Sequence, residues 1–174
     1  DVHGDAKDVD VIRALVDEVA SEYCVDRSRI HALGGSSSAY FTSQLMAEAP
    51  DLVASAVAGI GSFRVDGPAP SVPVPVLAYT GDTNRLVTTQ AAEQWAEHNG
   101  CDREPTTTDL GSGITWHHYE GCAAPVELYD FAGMGHSVPA HDCHGETFYC
   151  AEYEEFDFME AAAEFFAENP LGER

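Results

Sequence analysis

The feature that most constrains the fold is a short apolar strand pattern that runs directly into a glycine- and serine-rich turn. Residues 29–33 read as a buried strand, the turn Gly34-Gly35-Ser36-Ser37-Ser38 follows, and a helix is expected at about 38–48. A serine on a sharp turn between a strand and a helix is a nucleophile elbow, in which small neighbours hold the hydroxyl above the sheet edge. Ser38 stands where the usual Gly-x-Ser-x-Gly pattern has its second glycine. Taken alone, such a turn is more often only a turn.

Strand and helix patterns alternate along the rest of the chain. Apolar residues spaced three and four apart predict an amphipathic first helix, marked by Val9, Ile12, Val16, Val19 and Tyr23. Further strands are expected at 52–60, 74–80, 114–119 and 126–131, with a loop at 67–75 and helices at 88–99 and near 156–166. This alternation predicts an α/β fold with a mainly parallel sheet and flanking helices, arranged as one domain over residues 1–174.

The composition excludes two classes of partner. The chain has 174 residues, with 30 acidic and 8 basic side chains and a formal net charge of −22. Phosphates repel such a surface, so neither nucleic acid nor an anionic membrane face is an expected partner. No apolar run reaches the roughly 18 residues that a membrane-spanning helix needs. An apolar fraction of 44% is enough for a packed core.

The five cysteines bear on the cellular compartment. Cys101 and Cys122 flank a short Thr- and Gly-rich stretch, Cys143 and Cys150 are placed to close a small loop, and Cys24 is left over. Two disulfides predict an oxidising, extracytoplasmic setting, and the protein is therefore expected to be secreted. The alternative is a reduced protein with buried thiols.

Two later turns stand in the order that elbow hydrolases require. In those enzymes the nucleophile comes first along the chain, the acid follows a later strand, and the histidine follows the last strand. Here the turn Gly81-Asp82-Thr83-Asn84 follows one predicted strand, and Gly133-Met134-Gly135-His136 follows the last. Because His136 comes after a strand and two glycines in this order, it is predicted to be catalytic.

Segments spread over nearly the whole chain match one known family. They are Asp8-Val9-Asp10, Tyr23-Cys24-Val25-Asp26, Arg29-Ile30, Gly34-Gly35-Ser36-Ser37-Ser38, Ala49-Pro50-Asp51, Pro73-Val74-Pro75-Val76-Leu77, Trp95, Asn99-Gly100-Cys101, Tyr119-Glu120-Gly121-Cys122 and Gly133-Met134-Gly135-His136. The chain resembles the secreted esterases of the feruloyl esterase and polyhydroxybutyrate depolymerase group, within the α/β-hydrolase superfamily. The resemblance implies Ser36 as nucleophile, His136 as general base and the Ser37 amide as an oxyanion donor. It also supports the pairing of Cys101 with Cys122 and implies no metal or organic cofactor.

Two departures from the family pattern bear on activity. The family's acid follows a Gly-x-x-Asp pattern, and Asn84 stands at that position; an amide can hydrogen-bond the imidazole but cannot stabilise imidazolium by charge. Asp82 is the alternative orienting residue, or else a turn carboxylate bonded to its own backbone, and Asp130 and Asp142 are weaker candidates. Only 35 residues precede Ser36, so the N-terminal strands of the family fold and one oxyanion donor are expected to be missing. The chain is interpreted as the C-terminal half of such an enzyme, a truncated relative, or a reduced fold that closes by dimerisation.

Two structural expectations follow, one from the missing N-terminal strands and one from Ser38, which is a third departure from the family pattern. A sheet without its N-terminal strands has an open edge, which a homodimer would cover. Ser38 in place of glycine is expected to crowd the elbow, because its Cβ would lie at a closely packed position.

Other residues carry weaker signals. Tyr40, Phe63 and Trp116 are candidates for an aromatic substrate-binding cleft, although Tyr40 and Phe63 also suit the core or its rim. The run His141-Asp142-Cys143-His144 has histidines at a spacing that can share one face, but a disulfide at Cys143 is favoured over a metal site there, and no metal is predicted.

Together these inferences predict a secreted serine carboxylic ester hydrolase that works through an acyl-serine intermediate. Its ester substrate would be a feruloylated polysaccharide, a polyhydroxyalkanoate or another polyester. The alternative is a catalytically impaired α/β-hydrolase remnant that acts as a binding module through the same cleft.

Overall fold

The computed structural model describes residues 6–64, 70–145 and 149–172, and these form two sheets and four α-helices. The strands are β1 (Ala32–Gly35), β2 (Ala56–Gly59), β3 (Val76–Gly81), β4 (Thr106–Gly111), β5 (Ile114–Tyr119), β6 (Val126–Phe131), β7 (Val138–Ala140) and β8 (Cys150–Glu152). The helices are α1 (Ala6–Glu22), α2 (Ser37–Glu48), α3 (Arg85–His98) and α4 (Phe158–Glu168), with a 3₁₀ turn at Arg27–Arg29.

The main sheet has six strands in the order β1-β2-β3-β6-β5-β4. The first four of these run parallel, whereas β5 and β4 are antiparallel to their neighbours. The prediction of an α/β fold with a mostly parallel sheet is therefore confirmed. The carboxyl ends of the parallel strands meet at one edge of the sheet, which is where open α/β sheets bind their ligands.

Two apolar cores lie on opposite faces of this sheet. One packs α2 and α3 against inward residues such as Ala56, Val76 and Val126. The other packs α4 against residues such as Leu77 and Phe131. Because both faces are covered, β2 and β3 are buried along their whole length, and neither alternates between apolar and charged residues.

Several element boundaries differ from the sequence-based expectations for local reasons. β1 begins at Ala32 because Arg27–Arg29 form a 3₁₀ turn, whose N-terminal Asp26 accepts a hydrogen bond from the Ser28 amide at 2.9 Å. α3 begins three residues earlier than expected, at Arg85. β4 was not predicted: it is an edge strand exposed along its length, so it has no apolar alternation to detect. The predicted loop at 67–75 lies partly outside the described residues.

Both suggested cysteine pairings occur as disulfides. Cys101 is bonded to Cys122 and Cys143 to Cys150, while Cys24 is a free, exposed thiol. The first bridge joins the segment after α3 to the segment after β5. A loop of about this length stabilises a fold by roughly 3 kcal/mol in the chain-entropy model.

Among the helices in the described part of the chain, none is both long enough and apolar enough to span a membrane.

Candidate active site

Ser36 is held in a backbone conformation that strongly favours glycine. It lies between β1 and α2 with φ 59° and ψ −123°. Such a conformation costs about 1–3 kcal/mol and persists only where the surroundings impose it. Two contacts impose it here: the Ser36 amide donates to the Gly59 carbonyl at 3.0 Å, and the glycine at position 61 lets its backbone lie against that of Ser36.

Close packing explains why glycines precede the serine. A Cβ on Gly34 would collide with the Ser38 carbonyl and the Thr42 hydroxyl, and a Cβ on Gly35 would come 2.6 Å from the Tyr79 hydroxyl. The strand can therefore turn directly into the helix only without side chains at these two positions. Ser38 itself is exposed, so the expected crowding by its Cβ does not occur.

Three side chains from three different loops form one hydrogen-bonded line. The Ser36 hydroxyl lies 2.9 Å from Nε2 of His136, and Nδ1 of His136 lies 2.7 Å from Oδ1 of Asn84. Ser36 follows β1, Asn84 follows β3 and His136 follows β6. The geometry is that of a nucleophile, a base and an orienting residue.

The Asn84 side chain faces His136 instead of capping its own helix. Asn84 occupies the N-terminal cap position of α3, where asparagine usually accepts a hydrogen bond from a helix amide, yet its side chain makes no such bond. An Oδ1 that accepts the Nδ1 proton leaves Nε2 unprotonated and able to accept the proton of Ser36. The role of Asn84 as a neutral group that orients His136 stays a prediction.

The carboxylate alternatives lie elsewhere. Asp82 accepts hydrogen bonds from Arg85 at 2.7 Å and from the Gly133 amide at 3.2 Å, so Asn84 and not Asp82 contacts His136. Asp130 pairs with Arg85 through two bonds of 2.6 and 2.9 Å. The expectation that Asp82 bonds its own turn is also wrong, since its partners come from α3 and from the loop after β6.

Asp142 also lies apart from the His136 contacts. It is exposed and contacts His144, accepting from its backbone amide at 2.7 Å. Cys143 between them is bonded to Cys150, which removes it as a metal ligand. In the described residues, no group of three His, Cys, Asp or Glu side chains is placed to hold a metal ion.

Ser37 is the first residue of α2, so its amide lies in the turn where a helix has no internal acceptor for its N–H groups. The positive end of the helix dipole favours negative charge at this position. The residue is exposed beside Ser36. Its role as an oxyanion donor stays a prediction.

Of the three predicted substrate-binding aromatics, Phe63 lies in the core, and the assignment of Trp116 to a substrate cleft stays a prediction. Phe63 is fully buried in the core on the α2 and α3 face, and its carbonyl accepts the indole N–H of Trp95 at 2.9 Å. Trp116 lies within β5, stacks on Tyr129 and donates to a Glu127 oxygen at 2.9 Å.

The residue type of an aromatic side chain does not by itself determine whether its ring lines a cleft or packs in the core. Tyr40 is half-buried on α2, and its assignment to a substrate cleft stays a prediction.

Arg85 lies beside the candidate site, although no sequence pattern predicted it there. It joins Asp82 and Asp130, and hydrogen bonding to Asp130 is the main reason that its pKa is raised. The sequence held only one hint, the position of this arginine directly after Asn84.

Comparison with known proteins identifies esterases and a depolymerase as relatives. Feruloyl esterase B from Piromyces equi is 27% identical over 159 residues, covering 76% of this chain and 29% of that protein. Poly(3-hydroxyalkanoate) depolymerase C from Paucimonas lemoignei is 23% identical over 169 residues, covering 74% of this chain and 40% of that protein. The chain is related to esterases. It spans less than half the length of these two relatives.

Comparison with a solved structure supports the same fold. The acetyl xylan esterase from Aspergillus awamori superposes with a TM-score of 0.64 at 19% identity, covering 91% of this chain and 66% of that one. The fold is α/β-hydrolase-like, as the sequence resemblance implied. No protein-family model matches the chain.

The strained elbow generates a prediction about stability. Ser36→Gly and Ser36→Ala both remove the hydroxyl, but only glycine adopts φ 59° without strain, so Ser36→Gly should be the more stable by about 1 kcal/mol. The free energy of unfolding in urea measures this difference. At the neighbouring helical Ser38 the order should reverse, because alanine is the better helix residue. Equal stabilities of the two Ser36 variants would contradict the strained backbone.

Proposed function

We propose that this chain carries the catalytic site of a carboxylic ester hydrolase that acts through an acyl-serine intermediate. The observation that carries the proposal is the line from the Ser36 hydroxyl through His136 to Asn84, with contacts of 2.9 and 2.7 Å. The conformation of Ser36 on a strained elbow supports it, because strain of this kind concentrates at functional sites. The relatedness to esterases supports the same reaction class.

In the acylation half, the Ser36 oxygen attacks the ester carbonyl carbon while its proton passes to Nε2 of His136. Negative charge then develops on the former carbonyl oxygen, where the Ser37 amide at the start of α2 is placed to donate. When this tetrahedral intermediate collapses, the bond to the alcohol breaks, and the alcohol leaves with the proton from His136.

In the deacylation half, water takes the place of the alcohol. His136 removes a proton from the water as its oxygen attacks the acyl carbon, and the bond to Ser36 breaks as that proton returns to the serine oxygen. The products are a carboxylic acid and the free serine. Throughout, Asn84 holds the Nδ1 proton of His136 and so fixes which nitrogen carries out the transfers.

The proposed substrates are polymeric esters, either feruloylated polysaccharide or polyhydroxyalkanoate-type polyester. The exposure of the site supports this, because His136, Ser37 and Ser38 all lie on the open surface and not at the bottom of a tunnel. The net charge of −22 favours neutral polymers over anionic ones. The names of the two related proteins support a feruloyl ester and a poly(3-hydroxyalkanoate) as the candidate ester types.

Turnover of p-nitrophenyl acetate and butyrate tests the proposed reaction. Ser36→Ala should lower kcat at least about 10³-fold, since the residual rate after loss of the nucleophile comes from binding and oxyanion contacts alone. Ser38→Ala is the matched control: it removes an exposed hydroxyl two residues away and should leave kcat unchanged. Equal nitrophenol release by wild type and Ser36→Ala would exclude the enzyme and leave the binding-module alternative, which the neutral Asn84 favours.

The neutral orienting residue gives a second prediction. Asn84→Asp should raise kcat by about 2- to 30-fold, because a charge-assisted hydrogen bond is worth roughly 1.5–3 kcal/mol against about 1 kcal/mol for a neutral one. Asn84→Ala should lower kcat. Asn169→Asp makes the same chemical change at the end of α4 and serves as the control for added charge. If Asn84→Asp and Asn84→Ala give the same kcat, Asn84 does not orient His136.

We propose that the protein is secreted. Two disulfides, Cys101–Cys122 and Cys143–Cys150, persist in an oxidising compartment and are rare in the cytosol. The strongly acidic surface, together with a site open to large substrates, suits a hydrolase that meets polymers outside the cell.

We propose that two copies of the protein form a homodimer that covers the open edge of the sheet at β1. Within the described main sheet, β1 pairs on one side only, with β2, and Leu33 on β1 is half exposed. Light scattering should therefore give about twice the 18.7 kDa mass of one chain. Leu33→Lys should shift the mass to one chain, because lysine on an edge strand opposes pairing. Leu110→Lys on β4, at the opposite edge, is the control. A monomeric wild type would contradict the dimer.

A further inference from the structure

We infer that Arg85 is a positioning residue that fixes the loop carrying Asn84 against the strand and loop carrying His136. The inference rests on the proposed function, since it assigns the means by which those two side chains keep their contact. The side-chain hydrogen bonds of Arg85 go to Asp82 and Asp130 and not to Ser36 or His136, so its effect would pass through Asn84 and His136.

The guanidinium group of Arg85 joins two segments that are distant in sequence. Arg85 is the first residue of α3 and directly follows Asn84. Its Nε and Nη2 atoms donate to the two carboxylate oxygens of Asp130, at 2.6 and 2.9 Å, and Nη2 also donates to Asp82 at 2.7 Å. Asp130 lies on β6, the strand that leads into the loop of His136. A two-point contact of this kind fixes direction as well as distance.

Asp82 connects the same two loops a second time. Its backbone amide donates to the Met134 carbonyl at 2.8 Å, and its carboxylate accepts from the Gly133 amide at 3.2 Å. A Cβ on Gly81 would collide with the Met134 carbonyl, so the loops pack in direct contact. Arg85 therefore adds a second connection between the two loops: it bonds Asp82 in the Asn84 loop and Asp130 on β6, the strand that leads into the His136 loop.

The neutral amide of Asn84 makes these connections important. The Nδ1–Oδ1 contact with His136 lacks the ionic attraction that would draw a carboxylate and an imidazolium together. Alignment must then come from the surrounding structure. The charged groups near this contact are instead Arg85, Asp82 and Asp130, which pair with one another and not with His136. The Asp130 side chain is only 18% exposed, so its ion pair with Arg85 is the less screened of the two.

Steady-state kinetics of Arg85 variants tests the inference. Arg85→Ala should lower kcat by about 10- to 100-fold with KM unchanged, because a misplacement of about 1 Å in a catalytic group costs up to about 100-fold. Added guanidinium chloride should restore part of the lost kcat. Arg85→Lys should not restore it, since an ammonium group cannot make the two-point contact. Arg27→Ala is the control, because it removes a surface arginine paired with Asp17 at 2.7 Å and should leave kcat unchanged.

A structural readout separates this inference from the proposed function. In Arg85→Ala, hydrogen exchange at the Gly133 amide should be faster than in wild type. The imidazole NMR signals of His136 should also shift or broaden. If Arg85→Ala does not fold, Asp130→Asn should give the same two changes. Active wild type with full kcat in Arg85→Ala would overturn the inference and leave the function standing. Wild type without Ser36-dependent turnover would overturn the function. In that case unchanged His136 signals in Arg85→Ala would overturn the inference as well.

Discussion

The site depends on the hydrogen-bonded alignment of four parallel strands. In β1, β2, β3 and β6 the paired residues run in register, so that Gly35 lies beside Gly59 and Gly81 beside Phe131. The loops that leave these strands consequently start at the same edge of the sheet. The Ser36 amide adds one more bond to this ladder, with Gly59, and so joins the strained elbow to the sheet itself. A shift of one residue in any pair would separate the three side chains of the site.

Charge is distributed around this site in an unusual way. The side chain in contact with Nδ1 of His136 is the neutral amide of Asn84, whereas the two nearby carboxylates, Asp82 and Asp130, are both paired with Arg85. The carboxylates therefore contact the loops and not the imidazole. In the proposed mechanism, a neutral amide can fix the tautomer of His136 but cannot stabilise imidazolium by charge.

Much of the fold could be predicted from the sequence because most elements carry a strong local signal. β2 and β3 are mainly apolar runs bounded by turns, β6 has apolar residues at Val126, Leu128 and Phe131, and α4 repeats its apolar residues at helical spacing. β4 could not be predicted, since its threonines are exposed and have no periodic pattern. The sequence left Phe63 open between a cleft and the core for a related reason: what covers a given side of the sheet depends on contacts far along the chain.

By itself, the sequence determined the order of Ser36, Asn84 and His136 along an α/β chain, and the glycines that make the elbow possible. Those are local properties of residue type and spacing. Only the tertiary structure decided that Asn84 and not Asp82 meets His136, and that Arg85 binds the surrounding loops together. The physical reason is that a side chain in a turn points where its backbone angles and long-range partners direct it. For Asp82 and Arg85 those partners, Gly133 and Asp130, lie 51 and 45 residues away.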